Sequence, residues 1–335
     1  MKRLQALAMA VVLLASTLRS YGQGQFSGYV FGDYYRIVSN HRSELKGKNG
    51  FWIRRAYFTY DRKLGENVSS RLRFEMNHPG NFTSGQATPY VKDAYVAWKL
   101  GLHQVVLGIS PTPTYAKIED LWGYRAVEKT PLDLHKLADS RDFGLAVKGK
   151  LSPDGGLSYH FMLGNENGVG AENDAGKCVM LALGMQPIRS LYLELFAGAN
   201  FHKESDSRIL QAFVAYLVAG SQFGLQYSDY REEQGSKETR VRLVSGFVTT
   251  RIASDLKLFG RVDRLFDPNP AGDRISYLPM DPLAKSTLLI LGADYGKSPD
   301  VRIMPNVEVV KYGARPGGQK PATDLIPRLT FYFAL

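Results

Sequence analysis

The chain has 335 residues, a formal charge of +10 and one cysteine, Cys178. A lone cysteine excludes an internal disulfide and a cysteine-based metal cluster. The basic excess would suit a nucleic acid, but no helical recognition motif is present and the first residues mark the chain for export, so that partner is set aside.

Residues 1–22 read as a signal peptide. Lys2 and Arg3 make a basic start, Ala6 to Ala15 is an apolar run, and Ser20-Tyr21-Gly22 supplies small residues for cleavage after Gly22. That run is shorter than the roughly 20 apolar residues of a spanning helix. Losing Lys2, Arg3 and Arg19 lowers the formal charge from +10 to +7. Residues 23–335 then form a single domain without a continuous apolar span. In a membrane such a chain must close into a barrel, the one alternative to helices that satisfies its own backbone.

Sixteen segments of period two follow. They are Gln25–Ser39, Phe51–Asp61, Val68–Asn77, Tyr90–Leu100, Gln104–Ser110, Arg141–Leu151, Leu157–Asn165, Lys177–Gln186, Leu191–Phe201, Ile209–Ala219, Gln222–Arg231, Arg240–Ile252, Asp255–Phe266, Leu283–Gly296, Val301–Tyr312 and Asp324–Leu335. Two neighbours make the pattern plain. Leu72, Phe74 and Met76 share one face of their segment, with Arg71, Arg73 and Glu75 on the other. Phe58 and Tyr60 likewise oppose Tyr57, Thr59 and Asp61, and Gly65 and Asn67 mark the turn between the two segments. Ile209–Ala219 and Leu288–Leu291 are apolar on both faces and leave their register open. Pro305 and Pro327 would each break a ladder bond, so bulges or strand ends are expected there.

Connections after even-numbered segments are short, as in Arg62–Asn67, Gly101–His103 and Gly220–Ser221. Those after odd-numbered segments are mostly long and polar, and residues 111–140 form the longest. An antiparallel transmembrane barrel of about 16 strands has this asymmetry, with short periplasmic turns and long extracellular loops. The 19 Tyr and 17 Phe suit interfacial girdles, and a mean hydropathy of −0.21 fits strands apolar on one face only. Leu329, Phe331, Phe333 and Leu335 carry the alternation to the last residue.

The run Gln25-Phe26-Ser27-Gly28-Tyr29-Val30-Phe31-Gly32-Asp33-Tyr34-Tyr35 resembles the phosphate-selective porin O and P family. So do Ile53-Arg54-Arg55-Ala56-Tyr57, Val91-Lys92-Asp93-Ala94-Tyr95-Val96, Glu128 to Leu134 and Ser140 to Gly144. The likeness covers roughly residues 25–150. It implies an outer-membrane barrel of 16 strands that conducts anions past arginines and a lysine cluster. It further implies homotrimers, a surround of outer-membrane lipid and lipopolysaccharide, and a third loop folded inward as the constriction.

Arg55, Arg71 and Arg73 are expected to line the pore, where they either select anions or are neutralised by Asp61 and Glu75. Lys99, Lys148, Lys150, Lys257 and Arg261 receive the same reading. Arg54 is expected to face outward and snorkel towards lipid phosphates, since charge facing lipid is tolerated near an interface. In loop 111–140, Lys117, Glu119, Arg125 and Lys129 are constriction candidates that would set both charge signs opposite the arginine wall. The His202 to Asp206 stretch reads as solvated loop. No metal or cofactor is expected, and the chain is read as a channel for small anions. The alternatives are a plugged barrel with a structural or surface-binding role and a hydrolase using an inward His160.

Overall fold

The computed structural model describes residues 24–172, 175–202 and 205–335. The signal-peptide assignment lies outside the described residues, and the His202 to Asp206 stretch lies partly so. Sixteen antiparallel strands close into one barrel, each paired with its sequence neighbours and the last with the first. They are β1 (Gln25–Arg36), β2 (Asn49–Lys63), β3 (Val68–Asn77), β4 (Thr88–Leu100), β5 (His103–Pro111), β6 (Arg141–Lys150), β7 (Leu157–Gly164) and β8 (Lys177–Ile188). The second half comprises β9 (Leu191–Phe201), β10 (Asp206–Val218), β11 (Ser221–Gln234), β12 (Lys237–Arg251), β13 (Leu256–Leu265), β14 (Ser286–Ser298), β15 (Val301–Tyr312) and β16 (Asp324–Ala334). Closure runs from Tyr29 opposite Ala334 to Tyr35 opposite Arg328.

Alternation decides the faces. Phe58, Leu72, Phe74, Leu107, Leu145, Leu195 and Leu210 are exposed on the outer wall. Thr59, Glu75, Asp142, Glu194, Gln211 and Asp263 are buried on the inner one. Short turns gather at one end. Ala219 and Gly220 both take positive φ (45° and 80°) in a two-residue hairpin, the backbone that matches strand twist.

Two expectations fail for identifiable reasons. Arg54 does not face outward, because a bulge intervenes: Phe31 pairs with Arg55 and Gly32 with Ile53. A bulge puts two residues of one strand opposite one of the next, and both Arg54 and Arg55 are buried inside. The prolines mark neither bulges nor strand ends, since Pro305 pairs with Leu329 and Val307 with Pro327 in continuous register. Their missing N–H groups fall where the other neighbour is absent. The β14 pairs skip from Gly292–Asn306 to Tyr295–Ile303, and the β1 pairs stop at Tyr35–Arg328.

The loop between β5 and β6 folds into the lumen. It carries helix α1 (Tyr115–Trp122) and a single helical turn, α2 (Pro131–Leu134). Ile118 and Leu121 pack on Tyr192, Phe213 and Ala215 of the far wall. Trp122 meets Phe247 and Phe259 at ring distances of 5.5 and 6.2 Å, and Tyr124 stacks on Phe259 at 4.1 Å. A second inward segment, with Ile275, Tyr277, Leu278 and Met280, joins this loop in one buried cluster against β1, β2 and β13–β16. That side of the lumen is filled.

Candidate functional site

Buried arginines of the wall hold the loop in place. Arg54 donates to the Val127 carbonyl (2.7 Å) and pairs with Asp33 (2.6 Å), Glu128 (3.7 Å) and Glu308 (4.0 Å). Arg328 pairs with Glu308 at 2.9 Å and donates to the Tyr277 carbonyl at 2.6 Å. Alternation predicts that Arg261 lines the pore. Its guanidinium instead lies under Trp122, forks onto Asp263 and donates to the Lys129 carbonyl. With about 2% of its surface exposed, Arg261 anchors the loop and does not face the pore. Thr114 sits at φ 73°, strained for a residue with a side chain. Its hydroxyl donates to Glu194 and accepts from Gln211 at 2.6 Å, which fixes the start of α1 against β9 and β10.

Beside the filled side, loop and wall together form an eyelet of charge. Arg55 and Lys92 share Glu75, the lysine at 3.2 Å. Arg73 and Arg141 share Asp93 at 3.5 and 2.5 Å, and Arg73 also donates to Thr59. On the loop, Arg125 pairs with Glu119 at 3.2 Å and Lys129 with Asp133 at 2.8 Å. Arg125 lies over the Phe31 ring at 5.9 Å, which brings the loop to the wall. Six cations and four carboxylates leave two net positive charges. Both signs are present, as expected, and each side carries its own pairs: the loop side balances, and the net positive charge lies on the wall. Burial pushes the Lys129 ammonium down to about 8, with Asp133 opposing and Arg55 and Arg125 adding to the fall. Burial alone would raise the Asp133 carboxyl, yet Lys129, Arg125 and Lys92 hold it well below the usual range.

Lys92 and Arg141 escaped the sequence reading. Lys92 is the extra residue of a second bulge, since Arg73 pairs with Asp93 and Phe74 with Val91. Ile53-Arg54-Arg55-Ala56-Tyr57 and Val91-Lys92-Asp93-Ala94-Tyr95 share one plan, a charged doublet before Ala-Tyr, and both doublets turn inward at a bulge. Two adjacent charges in an otherwise alternating strand were the available signal. Arg141 opens β6 beside a lipid-facing Phe143, and strict alternation points it away from Asp93.

Towards the short-turn end the lumen widens. A cavity of about 500 Å³ is lined by Lys99, Lys117, Lys148, Lys150, His160 and Glu194. Lys117 has thus left the eyelet, and its ammonium lies 5.3 Å from the centre of the Tyr192 ring. Glu194 is occupied by Thr114 and Tyr192. Among the described residues, none of the four lysines makes an ion pair. His160 faces Lys148 across the strand pair. A second cavity, of about 540 Å³, holds Lys257 with Asp120, Arg251 and Arg302. Arg71 stands apart, its guanidinium forked onto Asp61 at 2.7 and 2.9 Å.

No family model matches the chain, and no curated protein matches it. Solved structures do. OmpT of Vibrio cholerae aligns with a TM-score of 0.68 at 12% identity, over 94% of this chain and 98% of that one. The anion-selective porin from Comamonas acidovorans aligns at 0.69 and 11%, over 93% and 99%. OmpF of Salmonella typhi aligns at 0.62 and 12%, over 94% and 98%. The fold is a porin fold. At these identities the likeness extends to the fold alone and assigns no solute.

Proposed function

We propose that this chain is an outer-membrane porin, a passive channel and not an enzyme, with a preference for small anions such as phosphate. In this reading residues 1–22 direct export, the short turns face the periplasm, and the barrel works as a homo-oligomer among outer-membrane lipids. A trimer form is described for OmpT of Vibrio cholerae. The observation that carries anion preference is the set of unpaired lysines, Lys99, Lys117, Lys148 and Lys150, around one cavity in line with a positive eyelet. Fixed positive potential raises the local anion concentration, and weak successive sites let the ion leave again.

Planar-bilayer recording across a potassium chloride gradient tests this. The expected result is open-channel current with a reversal potential favouring chloride, reduced by added phosphate if that ion lingers on the lysines. A cation-favouring reversal potential would reject the anion preference. The buried apolar cluster on one side of the lumen favours a second reading, a plugged barrel with a structural or surface-binding role. Silence at every voltage would select it.

A further inference from the structure

The outer wall of β7–β11 is not a uniform apolar surface. Ala212 leaves a trough among larger neighbours, about 600 Å³ where Leu183, Leu195, Leu225 and Tyr227 border it. It continues over Ala197 into about 330 Å³ beside Leu181 and Leu210. An apolar trough of this volume on a lipid-facing wall fits a hydrocarbon chain. Register relates it to a row of charge. Ala212 pairs with Tyr227, Leu210 with Asp229, and Arg208 with Arg231, which in turn faces Arg240. At about 3.4 Å per residue, the three arginines lie roughly 14 Å beyond the Ala212–Tyr227 pair, towards the long-loop end. They share the outward parity of Leu210, Leu225 and Tyr227, which are exposed.

Like charges directly opposite one another repel, so the row calls for anions. The carboxylates beside it meet that need unevenly. Asp229 gives both oxygens to Arg240, and Glu233 pairs with Arg208 at 3.1 Å. Arg231, in the middle, has Asp229 at 3.4 Å and Glu238 at 4.0 Å. Its Nε donates to Asp229, but its two terminal nitrogens make no hydrogen bond among the described residues, and a phosphate oxygen pair matches a guanidinium fork. Glu233 and Glu238 oppose each other one row further towards the loops and repel a free anion arriving from that side. The trough approaches from the other side, past Asp229, whose charge is taken up by Arg240. We propose that this face binds one phosphate-bearing lipid, its acyl chain in the trough and its phosphate on Arg231 between Arg208 and Arg240. The inference rests on the outer-membrane reading, in which the row lies at the outer-leaflet headgroup level.

The test is native mass spectrometry of the detergent-purified protein with lipid A, with dephosphorylated lipid A, and with excess inorganic phosphate as competitor. One lipid A is expected to stay bound, with binding weakened about tenfold without its phosphates and undisturbed by inorganic phosphate. Arg231→Gln/Arg240→Gln is expected to lose that affinity while conducting as the wild type does. Arg62→Gln/Arg189→Gln, which removes equal charge at the short-turn end, is expected to keep it. Ala197→Leu/Ala212→Leu, which fills the trough, should weaken lipid A with the arginines intact. Wild-type affinity in Arg231→Gln/Arg240→Gln, or displacement by inorganic phosphate, overturns the site. Those results in a protein that still conducts would remove this inference alone. A wild type that neither binds lipid nor enters bilayers would remove the membrane reading as well.

Discussion

The eyelet and the short-turn cavity carry the same sign of charge in opposite states. Every eyelet cation has a carboxylate partner, and Arg55 with Glu75 is removed from solvent. Among the described residues the cavity lysines have none. Desolvated pairs hold shape, because stripping one partner strands a buried charge. Solvated, unpaired charges hold little shape and project their field onto whatever passes. The constriction is thus expected to be stiff and only mildly selective, and the wider region below it to supply most of the anion preference.

Arg55→Ala should break this comparison most severely. It leaves Glu75 buried with Lys92 alone, and a cost of about 3 kcal/mol is expected, read as a lowered midpoint for thermal or urea-induced loss of the folded form. Lys150→Ala, on an exposed side chain, should move the same midpoint by less than about 0.5 kcal/mol. Equal losses would mean that pairing does not distinguish the two regions. The ranking should invert for conduction. A unit charge about 6 Å from a passing ion is worth roughly 0.7 kcal/mol in a water-like dielectric, and about half that in 0.1 M salt. Lys148→Glu/Lys150→Glu changes four units, so anion partitioning should fall about tenfold, seen as a shift of the reversal potential towards potassium. Arg73→Ala changes one unit and should cost about twofold.

The barrel itself was legible because its rule is local. A strand half in lipid and half in water must alternate, and Val68–Asn77, Leu191–Phe201 and Val301–Tyr312 could be read to their end residues. Pore geometry was less legible because it departs from that rule or depends on distant parts. Arg54 and Lys92 turn inward through bulges, which strict alternation assigns to the wrong face. Arg261 has the inward parity expected of it, yet its fate depends on Trp122 and the Lys129 carbonyl, more than a hundred residues away. Chain position groups Lys117 with the constriction, and helix α1 carries it out to the cavity. Inward parity was readable, but whether an inward charge meets solvent, a loop or a partner was not.

Lys129 offers an effect as small as that of Arg73 and the sharpest test of the contrast, because pH alone removes its charge. With the ammonium pushed down to about 8, it is largely protonated at pH 7 and largely neutral at pH 9. The Asp133 carboxyl is held low and stays ionised throughout, so deprotonation unmasks a negative charge and takes the eyelet from two net positive charges to one. Anion preference should therefore fall, not rise, across that window, by about twofold on the single-charge scale used for Arg73. Lys129→Arg keeps its proton and should flatten the profile at the low-pH value. Lys129→Ala should flatten it at the high-pH value. A step of unchanged size in Lys129→Arg would place the titrating group elsewhere and show that the paired eyelet cations are as indifferent to pH as their partners make them.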